Sequence, residues 1–224
     1  MTQDNNLYNV IEGSEQQKNL SDKEIFTKIW TSPRKVLKYI NDSSYDKYVT
    51  ILIVLSGISR AFSRASAKNY GDRMPLWEIL WVCIILGGIG GWIFYRFYAA
   101  LLSWSGVWLN GKGNTVSILR IISYAMIPSV AALICLIPQI IIYGNEVFKS
   151  DGDMISAGLI SNILVYLSVF LEFVFGTWSI VLCVIGISEV QKFSIGSSIL
   201  NLLMPILLLL VPIFLIGYLL KSFS

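Results

Sequence analysis

Histidine is absent from the 224 residues, which removes at once the usual general base, the usual proton shuttle near neutral pH and the commonest zinc ligand. Charge is scarce as well. Asp, Glu, Lys and Arg together make up 14% of the chain, against about 25% in an ordinary soluble domain. The three cysteines, Cys83, Cys135 and Cys183, fall in three separate apolar segments. Their spacing is far too wide for a metal knuckle and their odd number gives no disulfide framework, so they read as small buried hydrophobes. No metal site, no cofactor and no catalytic residue is expected, because an intramembrane enzyme would need a nucleophile with a base, and the apolar segments hold neither a histidine nor an aspartate pair. The net charge of +3 is modest and gives no reason to expect a nucleic-acid partner.

What is present is apolar surface. Hydrophobic residues make up 55% of the sequence and the mean hydropathy is +0.67, with uncharged runs longer than a core helix needs. The fold class that follows is an all-α integral membrane protein, a bundle of five transmembrane helices. Residues 1–20 are polar and aperiodic and are expected to form a disordered tail. Residues 21–46 carry two short amphipathic helices. The first opens with the Ser21 and Glu24 capping box, and the second with Ser32 before Pro33. Both suit either the headgroup region or a seat on the membrane domain. The remainder, 47–224, forms the transmembrane domain, with spans at about 47–68, 76–105, 115–143, 158–187 and 195–220. In the second span, Trp77 and Trp81 lie near one end and Trp104 and Trp108 near the other, as interfacial anchors. Pro128 and Pro138 are expected to kink the third.

Of the seventeen Lys and Arg residues, eleven fall on the side that holds the N-terminus and six on the other. The positive-inside rule then puts the N-terminus in the cytoplasm and, with five spans, the C-terminus outside. Arg34, Lys35, Lys38, Lys112 and Arg120 lie at the expected cytoplasmic surface and are candidate contacts for lipid headgroups.

The segment Gly106–Gly113, GVWLNGKG, matches a phosphate-binding loop except that Gly113 stands where the Ser or Thr belongs. It joins two membrane helices rather than a strand and a helix, so it reads as a tight turn. Gly87 and Gly91 form a GxxxG pair, suited to close packing inside the chain or to a seam with a second copy. Glu172 falls near the centre of the fourth span, on a narrow face with Ser161, Ser168, Gly176, Ser179 and Cys183. An unpaired carboxylate at that depth would be protonated or would need a cation. Arg60 is the best by depth, with Arg64 and Arg96 behind it, and Gly176 is a candidate packing residue on the same face. The alternatives are an ion pair that fixes helix positions and a polar pathway or ligand pocket.

Several landmarks arrive in a familiar order: Thr31-Ser32-Pro33-Arg34, Gly57-Ile58-Ser59-Arg60-Ala61, Gly106 to Gly113, Tyr124-Ala125-Met126-Ile127-Pro128, and Gly186-Ile187-Ser188-Glu189-Val190-Gln191. Together they resemble the Yip1 domain family, specifically its prokaryotic branch, over roughly residues 25–220. The resemblance implies a five-helix membrane protein with a cytoplasmic N-terminus, in a prokaryotic cytoplasmic membrane. Eukaryotic members associate with prenylated Rab GTPases and with one another, and influence vesicle traffic and membrane shape. This chain lacks their longer N-terminal region and their tyrosine- and glycine-rich third span, which argues against a GTPase partner. The expected role is a non-enzymatic scaffold or membrane-organising factor, with lipid and other membrane proteins or a second copy as partners. The alternative is a transporter, channel or lipid-moving protein that uses the polar site around Glu172.

Overall fold

In the computed structural model, residues 20–152 and 158–222 are described, with side chains omitted at 209 and over 211–222. The expected tail at 1–20 lies almost wholly outside that range. The described chain is all-α: α1 (Asp22–Lys28), α2 (Pro33–Asp42), α3 (Val49–Ala67), α4 (Leu76–Val107), α5 (Thr115–Ala125), α6 (Ile127–Tyr143), α7 (Leu159–Gln191) and α8 (Ile195–Ser222). Short 3-10 turns follow α3 and α6 at Tyr70–Asp72 and Gly144–Phe148. Among the described residues, four stretches are long and apolar enough to cross a bilayer: Val49–Ala67, Leu76–Val107, Thr115–Phe148 and Leu159–Gln191, with Ile195–Leu208 as a shorter apolar helix. The protein is a multi-pass membrane protein. The end of the bundle that carries α1 and α2 is called the near end below, and the opposite end the far end.

Local chemistry sets the helix boundaries. Ser21 accepts the Glu24 N–H while Glu24 accepts the Ser21 N–H, a reciprocal cap that starts α1. Pro33 occupies the first turn of α2, although the Ser32 side chain makes no capping bond. The third span breaks at Met126, between α5 and α6. Pro128 explains the position of the break: it has no N–H to give the Tyr124 carbonyl, and its ring crowds the preceding turn. Pro138, expected to kink the same span, is accommodated inside α6.

At about 1.5 Å per residue, α4 is about 48 Å long. Trp77 and Trp81 near its far end and Trp104 and Trp108 near its near end are all more than half exposed on the outer surface. Glycine joins α4 to α3. A Cβ on Gly57 would come within 3.0 Å of Gly87 and Gly91 backbone atoms, so the two helices touch main chain to main chain. The GxxxG pair is therefore consumed inside the chain and is not available as a seam to a second copy.

The N-terminal helix pair packs on the bundle. Ile25, Ile29, Leu37 and Ile40 are fully buried and Val36 nearly so, with α2 seated on α5 and α7. Five such aliphatic side chains correspond to on the order of 10 kcal/mol of gross apolar burial before ordering costs. The α5 helix fills the middle of the near half, where Ile118, Ile121, Tyr124 and Ala125 have no exposed surface.

Candidate functional site

Two polar constellations emerge, one at the near end and one between the middle and the far end. At the near end the hub is Gln191, the last residue of α7. Its Oε1 accepts the Gly113 N–H at 2.8 Å, its Nε2 donates to the Leu102 carbonyl at 3.2 Å, and its own carbonyl accepts the Lys112 N–H at 3.2 Å. A Cβ on Gly106, Gly111 or Gly113 would collide with this side chain or with Val190. The glycines of GVWLNGKG thus make room for a glutamine rather than for a phosphate. Asn110 adopts φ 61° to turn the loop, and Asn201 of α8 donates to the Leu102 carbonyl and to Ser105 Oγ.

The near end is further tied by ion pairs. Arg34 meets Glu189 at 2.9 Å. Arg120, expected at a lipid headgroup, is instead 5% exposed and forms a two-pronged pair with Asp46, Nε to Oδ1 at 2.6 Å and Nη2 to Oδ2 at 3.0 Å. The burial follows from its place on α5, which lies inside the bundle rather than on its rim. The guanidinium holds the Asp46 carboxyl below the usual carboxylate range. Asp22 of α1 accepts hydrogen bonds from Lys47, Tyr45 and Tyr48, and these donors, Lys47 first, hold its carboxyl far below its usual range. Lys35, Lys38 and Lys112 are exposed.

From the middle of the bundle toward the far end, a polar groove runs along α6 between α3 and α7. One lobe, about 130 Å³, is bounded by Ser66, Gln139, Val147 and Glu172. A second lobe, about 250 Å³, is bounded by Arg60, Tyr95, Met126 and Ser179. Ser59, Ser63, Ser129 and Gly176 line both. The serines stitch the three helices together: Ser59 Oγ donates to the Ser129 carbonyl at 2.8 Å, and Ser129 donates both its N–H and its hydroxyl to Ser179 Oγ at 2.9 and 2.8 Å.

The structure brings Glu172 and Arg60 to one groove but does not pair them. Glu172 Oε1 accepts from Gln139 Nε2 at 2.5 Å, because α6 forms the groove floor and offers an amide nearer than α3 offers a guanidinium. Arg60 lies over the Phe94 ring, 4.7 Å from its centroid, and Arg96 over the Trp92 ring at 4.2 Å. Arg64 lines a separate recess between α3 and α4 together with Arg60. Gly176, read as a packing residue, packs against nothing: a Cβ there would meet no atom within 4 Å. Its absent side chain keeps the groove open. Sequence reasoning missed Gln139, although it is the only amide in the apolar run of α6 and so was visible as an intramembrane polar group.

The sequence landmarks that lie far apart in the chain meet in space at the near end: Arg34 with Glu189, and Gly106 to Gly113 with Gln191. No curated protein and no solved structure matches the chain. The model of the Yip1 domain matches residues 27–216. The chain therefore belongs to the Yip1 domain family.

Proposed function

We propose that this protein is a non-enzymatic scaffold or membrane-organising factor of the Yip1 family, in the prokaryotic branch. It crosses a cytoplasmic membrane five times, with the near end in the cytoplasm and the C-terminus outside. The observation that carries the reading is the use of polar groups at the near end. Gln191, Asn201, the Arg120–Asp46 pair and the Arg34–Glu189 pair hold helices to one another and build a stiff platform. Lys35, Lys38 and Lys112 remain exposed on that platform, where they would meet anionic headgroups or acidic surfaces of neighbouring membrane proteins. The third span lacks the tyrosine- and glycine-rich pattern of the eukaryotic members, which favours other membrane proteins or a second copy over a GTPase as partner.

Photo-cross-linking from positions 35, 38 and 112 in native membranes tests the reading. A discrete protein adduct is expected, and lipid adducts alone at all three positions would overturn it. Cysteine accessibility at positions 38 and 150 tests the orientation, with labelling of 38 expected only from the cytoplasmic side and of 150 only from outside.

The open groove beside Glu172 favours a second reading, passage of a solute or lipid. Reconstituted liposomes that show the same flux as empty ones would remove it, and a flux abolished by Glu172→Gln would place it first.

A further inference from the structure

The two lobes of the groove differ in charge and in depth. Because α3 and α6 run toward the far end and α7 runs away from it, the lobe with Ser66, Val147 and Glu172 lies nearer the far surface. The lobe with Ser56, Arg60, Met126 and Ser179 lies nearer the middle. The outer lobe is therefore acidic and the inner lobe basic. Arg60 has no carboxylate partner among the described residues, and a guanidinium without one is costly inside a membrane.

Each lobe also holds a buried polar group with hydrogen-bonding capacity to spare. Ser179, 2% exposed, accepts two hydrogen bonds from Ser129, and no described residue takes its own proton. Gln139, 3% exposed, gives its amide hydrogens to Glu172 and to the Cys135 carbonyl, and no described residue donates to its oxygen. The inner lobe thus offers a cation and a hydroxyl donor, while the outer lobe offers a carboxylate and a carbonyl acceptor.

We propose that the groove holds the headgroup of a phospholipid with a primary amine, taken from the leaflet at the far end. Its phosphate lies against Arg60 and Ser179, and its ammonium against Glu172 and Gln139. The order along the membrane normal is the order within such a lipid in that leaflet, where the amine is outermost and the phosphate deeper. A primary ammonium supplies N–H donors to the two acceptors of the outer lobe, which a trimethylated choline does not. A glycerol headgroup brings no cation to Glu172. Gly176 stands at the junction of the lobes, where open space is needed for the headgroup to pass. The site stands whether or not the scaffold reading holds.

The test is native mass spectrometry of the full chain in detergent, titrated separately with dioleoyl phosphatidylethanolamine, phosphatidylcholine and phosphatidylglycerol. The ethanolamine lipid should bind at least about tenfold more tightly than the other two, the size of effect expected when a charge and its acceptors go unmatched. Glu172→Gln should erase its preference over phosphatidylcholine. Gly176→Leu, which fills open space, should keep the unfolding temperature and weaken ethanolamine-lipid binding by a similar factor. Equal affinity for the three lipids in the unaltered protein would overturn the proposal, as would undiminished binding in Gly176→Leu. Displacement of the lipid by an equal concentration of soluble glycerophosphoethanolamine would assign the site to a water-borne phosphoester and overturn the lipid assignment.

Discussion

Gln191 fills the space that side chains at Gly106, Gly111 and Gly113 would need, and its Oε1 takes the Gly113 N–H at 2.8 Å. Seventy-eight residues of sequence separate Gly113 from Gln191 in this joint, which closes the near end of the bundle. Replacing Gln191 by Ala removes the acceptor for a part-buried N–H and leaves a void among three glycines. A loss of roughly 1–3 kcal/mol is expected, read as a lower unfolding temperature in detergent; an unchanged temperature would show that the joint contributes nothing.

The Arg120–Asp46 pair is lopsided, with the arginine side chain 6% exposed and the aspartate 56%. Asp46→Ala strands a buried guanidinium and should cost about 3–5 kcal/mol. Arg120→Met leaves a carboxylate that water can reach and should cost less. Unfolding of both single variants and the double variant measures this asymmetry, and equal losses would contradict it.

Gly57→Ala forces a Cβ against the backbone of Gly87 and Gly91, which cannot yield without separating α3 from α4. Overpacking of this kind costs about 1–3 kcal/mol. Gly90→Ala on the same hairpin meets nothing within 4 Å and should leave the unfolding temperature unchanged. The pair of variants separates steric packing from helix propensity.

Acid should loosen the N-terminal helices before the bundle. The Asp22 carboxyl is held below its usual 3.8 by Lys47 first and then by Tyr45 and Tyr48. Its folded value thus lies below its unfolded one, so its contribution is complete above about pH 4 and fades as the pH falls further. Glu24 follows the same sign, lowered to about 2 by Lys28 first and then by Ser21. Hydrogen-exchange protection over residues 22–45 is expected to drop relative to α3 as the pH falls from about 4 to about 2. A drop shared equally by both segments would contradict this.

Much of the architecture was legible because lipid imposes long uncharged runs, and the Ser21 cap, the tryptophan belts and the near-end cluster of cations carry local signals. The break at Met126 was half legible: two prolines marked the span, but only the packing of α5 decides which of them interrupts it. The pairing of Arg120 was hidden, since depth along a helix does not say whether the helix lies at the rim or in the interior. Glu172 was visible as a buried charge and its neighbours Ser179 and Gly176 as one face of a helix. Its partner was not, because the distance across a groove depends on which helix forms the floor. Gly176 carried the same signal as Gly87 and the opposite meaning, one left open and the other filled by the neighbouring helix, Ala61 first.

The fully buried Tyr124 and Ala125 lie one turn or less before Met126, the residue at the inner limit of the groove. Among the described residues the groove therefore stops against the packed core of α5, as a cup does, rather than continuing toward the near end. A cup can hold a lipid, present it or trade it within one leaflet while the barrier to ions stays intact. Through-passage would require α5 to withdraw from the interior, breaking its seat against α2 and freeing Arg120 from Asp46. Any condition that opened a path would thus be reported first by the N-terminal helices, at the opposite end from the opening.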